Sequence, residues 1–326
     1  MKPGRMVLVR DPENAGPCIA TVGGFDGIHR GHQRLIESAR RLAVEWQLPL
    51  TLVTFEPLPQ EFLKTSPPAR LTTLREKLVA LAPLGVNRVA ALRFGSRLAE
   101  TPARDFVQEI LIRSLHAEAV AVGENFRFGH RREGDVELLG RLLNQAGRGL
   151  RVVTPEASGG LRISSTRIRE NLAQGELDEA ARLLGRPYRM TGHVIHGKAR
   201  GRMLGYPTAN LRPYRRRSPL RGIFAVRVHG VGALPYNGVA SLGIRPGLDD
   251  GRELLEVHLF DWTGNLYGRL ISVEFVAFLR EERRFDDWEK LRRAIDADAR
   301  EARQILASRP YRPSEESDPW GITVKP

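Results

Sequence analysis

Two histidines close together in the first part of the chain have the spacing of a phosphate-binding group. The segment His29-Arg30-Gly31-His32 places two imidazoles three residues apart, directly after an apolar run. Backbone amides at a helix start bind anions, and imidazoles beside them can donate hydrogen bonds to a phosphate that gains charge in a transition state. Ordinary surface or core histidines are the alternative. A zinc site would need further ligands, and neither a matching cysteine nor a histidine cluster lies nearby.

A second polar segment, Gly205-Tyr206-Pro207-Thr208-Ala209-Asn210, lies far along the chain. If it is a strand, Thr208 and Asn210 share one side, because strand side chains alternate. Their hydroxyl and amide oxygens are hard ligands of the kind that Mg²⁺ takes when it accompanies ATP. The segment 196–202 before it is basic and glycine-punctuated, and could bind phosphate or form a flexible surface turn. Two phosphate sites in one chain suggest two reactions.

Three further positions carry side chains that could serve these sites. The segment 163–169 combines two serines, which commonly cap helices, with Arg169 one turn later, able to reach the same anion. The glycine-bounded loop 123–129 contains two phenylalanines that could stack on a flat ring or pack in a core. Glu256 lies in an alternating strand, where a carboxylate usually faces solvent. With an alcohol substrate beside it, Glu256 could instead accept the hydroxyl proton.

The first part of the chain alternates short apolar runs with amphipathic helical segments. The predicted strands are Cys18–Val22, Leu50–Phe55, Arg88–Leu92, Ala117–Val122 and Leu150–Val153. The apolar residues Leu35, Ile36, Ala39, Leu42 and Ala43 have the spacing of one helix face. This alternation predicts a parallel sheet with crossover helices on both faces, in which ligands bind beyond the carboxyl ends of the strands.

The pattern changes after a helical stripe that ends at Gly185 and Pro187. Strand-like runs then follow one another between turn residues: Gly192–Ile195, Gly222–Val228, Asn237–Leu242, Leu254–Phe260 and Leu270–Phe278. An antiparallel barrel closes such strands without bare edges. A last helix is expected after Phe285, with Asp286 as its N-cap and an inner face formed by Trp288, Leu291, Ile295, Ala302 and Ile305. We therefore expect domains at 1–186 and 187–307 and a loose tail at 308–326.

Composition is that of a water-soluble protein. The 326 residues include 51 Lys and Arg against 38 Asp and Glu, a formal net charge of +13. The charge is spread along the chain, which favours a surface that gathers phosphorylated small molecules over one that binds nucleic acid. No apolar run is long enough to cross a bilayer, and no export signal is seen. The single cysteine, Cys18, fits a reducing cytoplasm.

Three N-terminal segments, 29–32, 123–129 and 163–169, together resemble the adenylyltransferase module of the prokaryotic bifunctional riboflavin kinase/FAD synthetase family. The resemblance implies a Rossmann-like nucleotidyltransferase domain that transfers AMP from ATP to FMN and releases pyrophosphate. It assigns ATP binding to Gly23, Phe25, Asp26, His29, His32, Ser164, Ser165, Thr166 and Arg169, with both histidines catalytic. It assigns Asn125 to the binding of FMN or ATP. Phe62 and Phe128 are predicted to contact the flavin ring of FMN, with plain packing as the alternative. The family commonly has Pro-His-Pro after its second strand, where this chain has Leu58 between two prolines.

The C-terminal motifs, GxxxGxxLGYPTAN and LEVHL, resemble the riboflavin kinase module of the same family. By that resemblance ATP would bind Gly197, Lys198, Gly201, Thr208 and Asn210, with the last two also holding Mg²⁺. Glu256 would be the catalytic base on the ribityl 5′-hydroxyl of riboflavin, and Arg280 would contact the flavin. The chain departs from the family at Ser241 and Gly247, where relatives usually show Asn and Thr.

The sequence thus predicts an enzyme that makes FMN and then FAD from riboflavin, with Mg²⁺ and ATP. Its expected partners are small molecules, with neither nucleic acid nor membrane, and its expected state is a monomer or transient oligomer. A riboflavin kinase whose nucleotidyltransferase domain is weakened or differently specific is the alternative within enzymes. A nucleic-acid-binding or regulatory protein would require aromatic residues interleaved with Lys and Arg on adjacent strands, and the predicted strands do not show this clearly.

Overall fold

The computed structural model describes residues 6–9, 16–154, 156–197, 201, 204–215, 217–244 and 253–311. The chain divides into two compact units. Unit 1 consists of Met1–Pro68 and Lys77–Ser164, and unit 2 consists of Ala69–Glu76 and Ser165–Pro326. The expected domain limits at 186 and 307 stay predictions, since compact packing and functional modules need not share a boundary. Among the described residues, the helices are too short or too polar to span a membrane.

Unit 1 is built on a six-stranded parallel sheet with spatial order β1-β4-β3-β2-β5-β6. Its strands are β1 (Val7–Val9), β2 (Cys18–Val22), β3 (Leu50–Glu56), β4 (Arg88–Arg93), β5 (Ala117–Gly123) and β6 (Gly149–Val153). The five predicted strands are confirmed to within one residue at each end. The edge strand β1 was not predicted, because three residues are too few to display an alternating pattern.

The helices of unit 1 connect these strands. They are α1 (Arg30–Glu45), α2 (Pro59–Leu63), α3 (Leu74–Leu81, whose first three residues belong to unit 2), α4 (Ser96–Ala99), α5 (Ala103–Asp105) and α6 (Val136–Gln145). A π-helical stretch covers Phe106–Ser114, and short 3₁₀ turns cover Ala82–Leu84 and His130–Arg132. A small hairpin pairs β7 (Ala157–Ser158) with β8 (Leu161–Arg162).

The central strand β2 is buried along its whole length, because the sheet has a core on each face. Cys18, Ala20 and Val22 belong to one hydrophobic cluster, whereas Ile19 belongs to the other. This explains the continuous apolar run, since a strand covered on both faces has no solvent side. The second cluster also takes the buried face of α1, which consists of the five residues predicted for it: Leu35, Ile36, Ala39, Leu42 and Ala43.

Unit 2 contains a closed six-stranded antiparallel barrel, in the order β10-β13-β12-β11-β14-β9. Its strands are β9 (Arg189–Ile195), β10 (Ala209–Leu211), β11 (Gly222–His229), β12 (Tyr236–Ile244), β13 (Glu253–Leu259) and β14 (Leu270–Arg280). Its helices are α7 (Ser165–Ala173), α8 (Leu177–Leu184) and α9 (Trp288–Ser308). The predicted barrel is confirmed, and the three-residue β10 is the strand that completes it.

The final helix α9 differs from its prediction in two details. Its N-cap is Asp287, whose side chain accepts a hydrogen bond from the Glu289 amide at 3.0 Å, so the prediction of Asp286 is wrong by one residue. Trp288 is 56% exposed and does not belong to a buried inner face. The buried residues of α9 are Asp298, Ala299, Ala302 and Leu306, all in its second half, where the helix packs on the barrel.

Candidate functional site

In unit 1 three motif-bearing loops leave the same edge of the parallel sheet. The loops after β2, β3 and β5 contain the segments 23–29, 57–62 and 124–129 respectively. The sheet order reverses direction between β2 and β5, which are neighbours although they are not consecutive along the chain. Open parallel sheets bind ligands at such a switch point, beyond the carboxyl ends of the strands. The fold therefore brings the segment with His29 and the 124–129 loop to one edge of the sheet.

The loop from β2 to α1 holds an unusual backbone conformation. Phe25 and Ile28 have φ values of 46° and 45°, and Gly27 between them has a φ of 89°. Left-handed backbone is strained for a β-branched residue such as Ile28, and it persists only where the surroundings impose it. Both Phe25 and Ile28 are buried, which anchors the loop from inside. Gly23 and Asp26 lie in this loop, as the sequence predicted, with the Asp26 side chain largely buried.

The two histidines meet at the beginning of α1. His29 is the N-cap, and its Nδ1 accepts a hydrogen bond from the His32 amide at 3.3 Å. The imidazole rings stack, with centroids 3.6 Å apart and planes 16° apart. A Cβ at Gly31 would lie 3.3 Å from the His29 ring, so glycine keeps the two rings close to the backbone here. The arrangement presents two imidazoles and a helix N-terminus together, which suits an anionic ligand.

The aromatic residues of unit 1 divide between core and surface. Phe128 is 6% exposed and packs between Phe106 and Phe126, with ring centroids 5.8 and 5.4 Å away. Of the two interpretations left open by the sequence, this burial favours packing over contact with a flavin ring. Phe62 in α2 is 44% exposed and meets Phe94 edge-on at 5.8 Å, so its outer face is accessible. Asn125 is exposed in the turn after β5.

The segment 163–169, which contains the two serines and Arg169, lies at the start of α7. Ser164 directly precedes the helix and Ser165 opens it, while the Thr166 side chain is exposed. The Arg169 guanidinium donates through Nε to the carbonyl oxygen of Ala69, within unit 2. A shared role of these residues with His29 and His32 stays a prediction.

Unit 2 contains a cavity of about 560 Å³ at the side of the barrel. It brings together most of the residues predicted for the kinase site: Gly197, Gly201, Thr208, Asn210, Glu256 and Arg280. Lys198 and Gly247 lie outside the described residues. Further lining comes from α9 through Trp288, Leu291 and Ile295, so these three predicted inner-face residues border a ligand-sized space and not the barrel core.

Strand pairing sets the centre of this cavity. Asn210 on β10 lies directly opposite Glu256 on β13, and Ser241 on β12 lies opposite Glu256 on its other side. Directly paired residues have Cβ atoms about 5 Å apart, so amide, carboxylate and hydroxyl form one row. Thr208 is not on the strand as predicted, because β10 begins at Ala209. It precedes the strand, and its carbonyl oxygen accepts a hydrogen bond from the side-chain Nδ2 of Asn210 at 3.4 Å.

Two glycines of the cavity are required by close approach. A Cβ at Gly197 would lie 2.3 Å from the Asn210 carboxamide nitrogen, and one at Gly201 would lie 2.3 Å from the Tyr206 carbonyl oxygen. No real Cβ is found so close to another atom, so any side chain would displace the polar segment. The glycines at 197 and 201 are therefore explained by the lack of space for a side chain in the cavity wall.

Two side chains that were not predicted from the sequence, those of His258 and Asp296, hold the turn that carries Thr208. His258 on β13 lies two residues after Glu256, and its Nδ1 bonds to the Pro207 carbonyl oxygen at 2.8 Å. The Tyr206 hydroxyl donates to Asp296 of α9, and burial together with this bond raises the pKa of Tyr206. The i, i+2 spacing from Glu256 is a sequence signal that could have identified His258. Nothing local identifies Asp296, 90 residues from Tyr206.

Arg280 at the end of β14 is fixed by an ion pair. Its Nε and Nη2 donate to the two carboxylate oxygens of Asp298 at 2.8 and 2.6 Å, and its guanidinium lies 5.9 Å from the Phe285 ring centroid. A planar guanidinium bound at two points has little freedom left. Ser241, one of the departures from the family pattern, donates its hydroxyl to Glu282 at 2.9 Å. Arg280 and Ser241 both line the cavity.

The cavity suits a hard divalent cation better than zinc. Within the described part of the chain, His, Cys, Asp and Glu do not gather into a group of three that could hold a metal. The oxygen atoms of Thr208 and Asn210 beside Glu256 match the preference of Mg²⁺, which is bound through one or two protein ligands, the phosphates of its substrate and water.

Comparison with known proteins agrees with this two-site description. Residues 11–167 match the family described as FAD synthetase, and residues 184–306 match the family described as riboflavin kinase. The bifunctional riboflavin kinase/FMN adenylyltransferase of Pseudomonas fluorescens is 42% identical over 94% of this chain and 100% of its own length. That of Escherichia coli (strain K12) is 42% identical over 89% and 93%. A solved structure from Streptococcus pneumoniae, described as a macrolide-efflux protein, covers 91% of this chain and 98% of its own, with 30% identity and a TM-score of 0.77.

Proposed function

The chain belongs to the family of bifunctional riboflavin kinase/FMN adenylyltransferases, and we propose that it performs both reactions. In unit 2 riboflavin is phosphorylated by ATP to give FMN. At the carboxyl edge of the unit 1 sheet, AMP is then transferred from a second ATP to FMN, which gives FAD and pyrophosphate. The observation that carries this proposal is the pairing of Asn210 with Glu256 across β10 and β13, in a cavity large enough for a flavin or a nucleotide.

In the kinase reaction Glu256 acts as the general base. Its carboxylate accepts the proton of the ribityl 5′-hydroxyl while that oxygen bonds to the γ-phosphorus of ATP. The bond from this phosphorus to the bridging oxygen breaks, and ADP leaves with the electron pair. A positioned base of this kind contributes about 10²–10⁴-fold to a rate. The half-buried position of Glu256 next to Asn210 supports the assignment, since both side chains line one cavity.

Thr208 and Asn210 are the residues that would hold Mg²⁺ with ATP. A cation there would neutralise charge on the transferred phosphoryl group. Gly197 and Gly201 let the chain pass close to Asn210 and to the Tyr206 carbonyl oxygen, so no side chain displaces the residues that would hold the cation. His258 and Asp296 hold the turn, which keeps Thr208 in one position relative to Glu256.

In the adenylyl transfer a phosphate oxygen of FMN bonds to the α-phosphorus of ATP, and the bond to the α,β-bridging oxygen breaks. His29 and His32 donate hydrogen bonds to the phosphates as negative charge develops, with the N-terminus of α1 adding its dipole. Ser164, Ser165, Thr166 and Arg169 hold the β and γ end. Asn125 and Phe62 contact FMN, whereas the burial of Phe128 supports a packing role for that residue.

We propose further that the enzyme acts in the cytoplasm on small molecules alone, as a monomer or transient oligomer. The charge of +13 supports attraction of phosphorylated substrates. This part of the proposal is tested by the mass of the purified protein in solution and by titration with RNA. A steep dependence of RNA affinity on salt would contradict it.

A coupled assay tests the two activities together. Purified protein is incubated with riboflavin, ATP and Mg²⁺, and the flavins are separated by chromatography. Glu256→Gln should lower FMN formation by at least 10²-fold while FAD is still made from added FMN. His32→Ala should do the reverse, so each variant is the folding control for the other. FMN without FAD from the wild type would support the alternative of a weakened nucleotidyltransferase domain, and FMN formation unchanged in Glu256→Gln would refute the base assignment.

A further inference from the structure

The proposed reactions leave one buried cation of unit 1 unexplained. Lys77 on α3 has an exposed fraction of 0%. Its ammonium donates to the carbonyl oxygen of Gly24 and to the hydroxyl oxygen of Thr54, each at 2.7 Å. Lysine is among the residues least often fully buried, because removing an ammonium from water costs several kcal/mol. A position that retains such a group in the interior has a specific use for it.

Two contacts of Lys77 converge on one carbonyl group. Thr54, which is itself fully buried near the end of β3, donates its hydroxyl to the same Gly24 oxygen at 3.2 Å. One oxygen thus accepts from two side chains, which come from positions 30 and 53 residues away along the chain. The preceding amide, that of Gly23, donates to the Val53 carbonyl oxygen at 3.1 Å. The chain is therefore held on both sides of the Gly23–Gly24 peptide.

The strained loop between β2 and α1 begins directly after Gly24. Phe25 and Ile28 adopt left-handed backbone, and the next residue, His29, caps α1 and stacks on His32. Strain of this kind, about 1–3 kcal/mol per residue, persists only while the ends of the loop are fixed. Lys77 and Thr54 fix the end at β2, and the cap of α1 fixes the other. The two imidazoles are therefore placed by a loop whose first carbonyl is clamped by a buried cation.

We propose that Lys77 is a positioning residue for adenylyl transfer, which acts through Gly24 on the loop that presents His29 and His32 to the phosphates of ATP. The ammonium also places a positive charge in the low-dielectric interior of the same unit, where its field at an anionic ligand is little screened. The inference rests on the proposed function, since it assigns the ATP phosphates to this loop. In this proposal the loop contacts ATP and not FMN. Loss of Lys77 should therefore change the KM for ATP and leave the KM for FMN unchanged, which loss of a merely structural residue would not do.

The test compares Lys77→Met with the wild type as full-length proteins. Methionine keeps the length of the side chain but removes the charge and the hydrogen bonds to Gly24 and Thr54. We expect the KM for ATP in FAD formation to rise about tenfold and kcat to fall on the order of 10²-fold, because misplacement by 1 Å costs about that much. The KM for FMN should stay within twofold. Lys64→Met, which removes an exposed lysine of the same unit, should match the wild type.

Riboflavin phosphorylation in the same preparations reports whether the rest of the protein is intact. A merely structural role would lower the active fraction, and so kcat, while both KM values stayed unchanged. A folded Lys77→Met protein whose KM for ATP lies within twofold of the wild type would therefore overturn the inference. If that variant does not fold, Thr54→Val decides, since it removes one of the two donors to Gly24. A several-fold rise of its KM for ATP supports the proposal, and an unchanged value overturns it.

The failure of this inference is distinguishable from the failure of the proposed function. If the wild type itself makes no FAD from FMN and ATP, the proposed adenylyl transfer is wrong. If the wild type makes FAD and the variants keep its KM for ATP, adenylyl transfer stands and only the role of Lys77 is refuted.

Discussion

Removing a buried carboxylate of the barrel, by Glu274→Gln, should destabilise unit 2 in a way that depends on pH. Glu274 on β14 is 2% exposed. It accepts hydrogen bonds from Nε and Nη2 of Arg189 at 3.0 and 2.6 Å, from Nη1 of Arg227 at 3.0 Å, and from Nε2 of His229 at 3.1 Å. Glutamine preserves the shape of the side chain but leaves two buried guanidinium groups without their counter-charge.

The magnitude follows from the pKa of the carboxyl group. Burial by itself would raise the pKa of Glu274, but the hydrogen bond from His229 and the charge of Arg189 outweigh it and lower the pKa from 4.5 to about 2. Since one pKa unit is worth about 1.4 kcal/mol, the ionised carboxylate stabilises the fold by about 3 kcal/mol at pH 7. A depressed pKa stabilises the folded state above the unfolded value. The stabilisation is therefore lost as the pH falls from 4.5 toward 2, and about 1 kcal/mol remains at pH 3.

Native-state hydrogen exchange of the full chain is the appropriate assay, because peptides from β9, β11 and β14 report the barrel separately from unit 1. The difference in opening free energy between the wild type and Glu274→Gln is measured at pH 7 and at pH 3. We expect about 3 kcal/mol at pH 7 and a difference smaller by about 2 kcal/mol at pH 3. Glu289→Gln, which removes an exposed ion pair with Arg293, should change the opening free energy by less than about 0.5 kcal/mol.

Two results would refute this reasoning. A difference below about 1 kcal/mol at pH 7 would mean that the desolvation of Glu274 cancels its attraction to Arg189, Arg227 and His229. A difference that is large but equal at both pH values would mean that the effect comes from packing, and not from the charge of the carboxylate.

Two further variants test the walls of the candidate sites. His258→Ala removes the hydrogen bond to the Pro207 carbonyl oxygen, which is worth about 1 kcal/mol, so the KM for ATP in FMN formation should rise about fivefold. The control His193→Ala removes a similar 3.0 Å bond to Gly268 away from the cavity and should leave that KM unchanged. Gly129→Ala places a Cβ 2.6 Å from the backbone of Ala103 at a φ of 75°, so it should lower FAD formation and the thermal stability of unit 1. The control Gly147→Ala has a φ of 69° but open space around its Cβ, so it should lower the free energy of unfolding by only about 1 kcal/mol. Equal effects of the two variants would contradict the steric argument.

Much of the architecture could be predicted because the local spacing of apolar residues indicates helices and strands. The central strand β2 is buried along its whole length, since the sheet is covered on both faces there, and the buried face of α1 repeats every three or four residues. The edge strand β1 escaped prediction, because its three residues are too few for a period to be visible. The three-residue β10, which carries Asn210 and closes the barrel, was expected to include Thr208 but begins at Ala209.

By itself, the sequence determined the fold class and the chemical groups of both sites, because residue types at fixed spacing, such as His29 with His32, are local properties of the chain. Tertiary structure decided how these groups are held. The row of Asn210, Glu256 and Ser241 depends on strand register, and Lys77 reaches Gly24 across 53 residues. Such contacts join segments whose separation along the chain carries no periodic signal, and only packing of the whole core brings them together.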